Sequence, residues 1–70
     1  MKITPREAAI LSKIGSIMGT LQIGIPDLAR ITGLKEMTLR RRIKTPSEFR
    51  QYELWAIEDA ARRRGWKSDN

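Results

Sequence analysis

Leu28-Ala29-Arg30-Ile31-Thr32-Gly33-Leu34-Lys35-Glu36-Met37-Thr38-Leu39 is the stretch whose reading decides the fold. Gly33 interrupts an apolar pattern that Leu34 then resumes, and glycine tolerates the positive φ of a tight turn. Upstream, Ile25-Pro26-Asp27 has the marks of a helix start. Proline suits the first turn, and an acid there faces the positive end of the helix dipole. Downstream, Leu39 and Ile43 stand four apart and give residues Lys35 to Lys44 an inner helical face. Thr45-Pro46-Ser47 ends that helix, because the residue before proline avoids the helical region. The spacing therefore predicts two short helices joined at a glycine. Ala29 is small enough for a close crossing, and Leu28, Leu34, Leu39 and Ile43 anchor the pair.

The same reading extends outward. Thr4-Pro5-Arg6-Glu7 predicts a capped helix start, with Thr4 and Glu7 forming a capping box. Ile10, Ile14, Ile17 and Met18 follow at helical spacing, and Gly19-Thr20 is expected to stop this helix near Met18. Leu21 to Gly24 reads as a short extended connector or a frayed continuation of the first helix, with the connector favoured. A last helix is expected from about Gln51 to Arg64, with Leu54, Ile57 and Ala61 inward and Phe49 plugging in from the preceding loop. Gly65 suits its C-terminal cap, and Arg62, Arg63 and Arg64 suit the negative helix end. Residues 67–70 read as a polar tail. The expected fold is all-α: one compact four-helix domain over residues 1–70, with a helix-turn-helix at about 25–44.

Composition narrows the chemistry. The 70 residues hold 14 Lys and Arg against 8 Asp and Glu, a net charge of +6. Such a balance points to an anionic partner, nucleic acid first and a membrane surface second. The chain has no Cys and no His. Zinc fingers, thiol nucleophiles and histidine acid–base catalysis are thereby excluded. No apolar run approaches the ~20 residues of a membrane span. Met1-Lys2-Ile3-Thr4-Pro5 lacks the shape of a signal peptide, so cytoplasmic residence is the expectation. Glu53, Glu58 and Asp59 share one helix without a His or Cys partner, and read as solvation and ion pairing, not catalysis.

The segment Leu28 to Leu39 resembles the helix-two, turn and helix-three signature of the lambda-repressor/Cro-like helix-turn-helix family. Ile43-Lys44-Thr45-Pro46-Ser47-Glu48-Phe49, followed by Glu53-Leu54, is similar to the small phage-type members, and the likeness covers roughly Ile25 to Ala61. Three positions depart from the family pattern. Ile25 stands where a polar residue usually opens helix two, Lys35 where helix three usually has a Ser-like cap, and Arg42 where many members have an apolar core residue. The resemblance implies sequence-specific binding of double-stranded DNA by a transcriptional regulator, a repressor of phage or mobile-element type. It implies no enzymatic activity, no cofactor and no small-molecule ligand.

In that family the base-reading positions correspond to Glu36, Met37 and Arg41. Helical geometry sharpens the choice. With Leu39 and Ile43 inward, Met37, Arg41 and Lys44 point outward, while Arg40 and Arg42 flank the core on opposite sides. The candidate DNA-binding residues are Lys35, Glu36, Met37, Thr38, Arg40, Arg41 and Lys44. One short helix reads only a few base pairs, so a homodimer, at least on DNA, is expected, through the last helix or the Trp66 region. The rival readings are a protein-interaction module on the same fold and an accessory factor that bends DNA.

Overall fold

Local chemistry explains where each helix starts. In the computed structural model, which describes residues 3–67, the elements run α1 (Pro5–Leu21), α2 (Ile25–Thr32), α3 (Glu36–Lys44), a 3-10 turn (Pro46–Glu48) and α4 (Gln51–Arg63). The fold is all-α, with four helices and, among the described residues, no strand. The start of the chain at Met1-Lys2 and residues 68–70 of the expected tail lie outside the described residues.

The α1 start is a reciprocal cap. Thr4 Oγ1 accepts the Glu7 N–H at 3.1 Å, and Glu7 Oε1 accepts the Thr4 N–H at 3.0 Å. Its end differs from the expectation. Gly19 does not stop the helix, which runs on to Leu21 and closes at Gln22 in the left-handed region, at φ 56°. A helical Gly19 costs about 1 kcal/mol relative to alanine, but the extension packs Leu21 against the core. The connector is correspondingly shorter, and the chain bends by 95° between α1 and α2. Among the described residues no single helix is long and apolar enough to cross a membrane.

The turn between α2 and α3 occupies residues 33–35. Gly33 adopts φ 79° and its N–H donates to the Ala29 carbonyl at 2.9 Å. Thr32 holds the same turn from inside. Its hydroxyl donates to the Leu28 carbonyl at 2.7 Å and accepts the Leu34 N–H at 3.3 Å.

Every helix sends residues into one core. Ile10, Ile14 and Ile17 come from α1, Leu28 and Ala29 from α2, Leu39 from α3, and Ile57 and Ala61 from α4. Phe49 enters from the loop before α4, as its spacing predicts. Ile17, Leu28, Leu39 and Ile57 are fully buried, each contributing about 1.5–3 kcal/mol relative to exposure. Trp66 closes the core from beyond α4, with its indole N–H donating to Ser16 Oγ at 3.3 Å. Gly65, at φ 99°, reverses the chain so that the Trp66 N–H returns to the Ala61 carbonyl at 3.0 Å. The Trp66 side chain is therefore interior, part of the chain's own core.

Two outcomes follow from this packing. Ala29→Leu inserts three carbons into a filled site and should lower stability by about 1–3 kcal/mol. An unchanged thermal midpoint would mean that the α2 crossing has room to spare. The cap carries a pH signature. Hydrogen bonds from the Thr4 backbone, then from its hydroxyl, hold the Glu7 carboxyl below its ordinary value of 4.5. With the folded pKa depressed, the stabilisation is complete above the ordinary value and lost as pH falls through the folded one. The melting difference between the wild type and Glu7→Gln should be present at neutral pH and vanish in acid. A difference independent of pH would exclude a charged cap.

Candidate nucleic-acid interface

Helix α3 is short and carries little apolar surface, so its attachment decides what it can present. Leu39 is fully buried, and Leu34 and Ile43 pack half-buried against the core. These residues turn the opposite face to solvent. Met37 is 75% exposed, and Arg41 and Lys44 are exposed beside it on neighbouring turns. Lys35 precedes the helix in extended conformation, without a side-chain cap, in keeping with its departure from a Ser-like residue.

The remaining candidates are arranged differently. Arg40 is drawn along the helix to Glu36, with Nε at 3.0 Å and Nη2 at 2.8 Å from the same carboxylate oxygen. That i,i+4 pair is exposed on both sides, so it contributes only a few tenths of a kcal/mol. It places a neutralised edge beside the cationic centre and leaves both partners accessible. Thr38 is half-buried behind Arg41 and is the least accessible of the set.

Arg42 belongs to the scaffold. Its side chain is only 16% exposed, and its Nε lies 3.2 Å from Oε1 of Glu53, which is 2% exposed. The same Glu53 oxygen accepts the Arg50 N–H at 2.8 Å, and Arg42 Nη1 reaches Glu48 at 3.6 Å. The end of α3 and the entry to α4 are thus joined by one buried carboxylate, and Arg42 ties the 3-10 turn to the same cluster through Glu48. All three α4 acids make the expected ion pairs, but only Asp59, with Arg63 at 3.1 Å, is also solvated; Glu53 is buried, and Glu58, largely covered, pairs with Lys13 at 3.3 Å and Arg62 at 3.4 Å. The sequence signal for this clamp was present: Arg42 falls at a core position, and Glu53 follows Arg50 by three residues, as in a capping box. Thr32, which ties the turn ahead of α3, had no comparable signal.

Among the described residues the ion pairs engage Lys13, Arg30, Arg40, Arg42, Arg62 and Arg63. None engages Lys35, Arg41 or Lys44. The outward face of α3 is therefore cationic without compensation, around one exposed methionine.

Comparison with protein-family models, with curated proteins and with solved structures gave no match.

The clamp predicts an asymmetry. Removing one partner of a buried pair leaves an uncompensated charge, at a typical cost of 3–5 kcal/mol. Arg42 retains some solvent, so Arg42→Met should cost at least about 2 kcal/mol. Arg42→Met with Glu53→Leu should cost less than Arg42→Met alone, since no charge then stays buried. Urea unfolding of the two variants decides this. A double variant weaker than the single one would make the carboxylate's bond to Arg50 the dominant contact.

Proposed function

We propose that this chain is a non-enzymatic, sequence-specific binder of double-stranded DNA that regulates transcription, with α3 laid in the major groove. The observation that carries the reading is the outward face of α3, where Met37, Arg41 and Lys44 are exposed and the two cations lack acidic partners. An α-helix fits the major groove, and a guanidinium can place two donors on guanine O6 and N7. Met37 supplies an apolar contact suited to a thymine methyl group. The tight turn at Gly33 and the buried Leu39 support α2 as the brace and α3 as the reader of a helix-turn-helix. The resemblance of Leu28 to Leu39 to the lambda-repressor/Cro-like signature supports the same reading and suggests phage or mobile-element control.

Roles within the face follow from reach. Arg41 and Met37 lie near its centre and read bases; Glu36 stands at its edge, already bonded to Arg40. Lys44 and Lys35 lie at the two ends of the helix and act as charges near phosphate. The protein binds as a homodimer on two half-sites about one DNA turn apart. Its expected place of action is the cytoplasm.

The experiment is a comparison of affinities at a stated salt concentration, using a site selected from random duplexes. Arg41→Ala should flatten preference at one base pair per half-site, by about 1–3 kcal/mol. Lys44→Ala should weaken all sequences equally and reduce the salt slope by about 0.9, one phosphate contact. An equal loss on every sequence for Arg41→Ala would assign it to phosphate. No duplex binding at low salt would overturn the reading and favour a protein-interaction module.

A further inference from the structure

Away from α3 an apolar groove opens between α1 and α4. Its volume is about 250 Å³, and Ile10, Ile14, Leu54 and Ile57 line it. Its α1 wall is cationic, with Arg6 and Lys13. Trp55 stands beside it on α4 and is 63% exposed. Gln51 and Glu58 line the groove and lie four residues before and three residues after Trp55, on adjacent turns of the same helix edge.

We propose that this groove takes Trp55 from a second copy of the chain, in a reciprocal contact that joins two copies through their α1–α4 faces. Three observations converge on that occupant. An exposed indole is a large apolar group whose burial is strongly favourable. Donor and receptor share one surface patch, which is the condition for a closed two-fold dimer rather than an open chain of copies. The charges also match. Lys13 and Glu58 already pair with each other across the groove at 3.3 Å, which leaves Arg6 on the α1 wall and Asp59 on the α4 shoulder as the opposite charges that two copies bring together. Arg6 engages no acid among the ion pairs of the described residues, and in the dimer it flanks the inserted indole, where a guanidinium over an aromatic face is favourable. Asp59 meets only Arg63, in an exposed pair that a partner can displace.

The contact rests on the dimeric part of the proposed function and is independent of its DNA-binding part. It is tested without DNA, by sedimentation equilibrium from roughly 1 μM to 1 mM protein, the range of a modest interface. Two variants alter exposed residues: Trp55→Ala removes the donor, and Ala9→Glu obstructs the α1 wall of the receptor. Circular dichroism checks that both remain folded. The wild type should form a two-chain species, and each variant should weaken association by about thirty-fold or more, as loss of a central interface anchor does. A mixture of the two variants should associate more strongly than either alone, because one of the two contacts is intact between them. A wild type that stays monomeric, a dimer indifferent to either variant, or a mixture no stronger than its components would each overturn the assignment. Duplex binding by the wild type and its loss of base preference in Arg41→Ala are read separately, so failure here does not bear on α3.

Discussion

The buried carboxylate of Glu53 is the constraint on which the presentation of α3 depends. A charge removed from water must be surrounded by donors, and here they come from different parts of the chain: the Arg42 guanidinium on α3 and the Arg50 amide at the entry to α4. Hydrophobic contacts alone would let a nine-residue helix rotate or slide over its apolar stripe. The directional bonds to Glu53 restrict both motions, because they are satisfied in one arrangement only. The cost of ordering a long arginine side chain is thereby met inside the scaffold, and Arg41, the next residue back, remains free of it. A single residue's difference along a helix separates the scaffold from the surface.

This distinction bears on what net charge means. The sum of +6 describes the whole chain, yet charge is cancelled locally, as along α4, where Glu58 and Asp59 meet Arg62 and Arg63. The run Arg62 to Arg64 is as basic in sequence as Arg40 to Arg42, and among the ion pairs of the described residues each leaves one arginine without an acid, Arg64 and Arg41. On α3 the single acid Glu36 serves Arg40 alone. Spacing of acids relative to bases, not their totals, decides where an uncompensated field remains.

Most of the architecture was legible because helix signals are local. The Thr4 cap, the Gly33 turn and the alternation of Leu28, Leu39, Ile57 and Ala61 each act within a few residues. The error at the end of α1 arose because Gly19 is a local signal overruled by a nonlocal one: packing of Leu21 on residues distant in sequence. Glu53 and Trp66 were misread or left open for the same reason. Their partners lie 11 and 50 residues away, and no periodicity announces such pairs. At the candidate site the direction of Met37, Arg41 and Lys44 was legible from the position of Leu39. The bond between Arg40 and Glu36 was legible in spacing but its effect on the field was not.

The bond from Trp66 to Ser16 has a consequence for how the chain acquires its structure during synthesis. The inner surface of α1 is made first, yet its covering includes an aromatic ring that the ribosome delivers 50 residues later. A chain that stops short of Trp66 holds all four helices yet leaves the isoleucines of α1 without the ring that closes over them. The seal over the core therefore depends on a side chain that lies outside every helix.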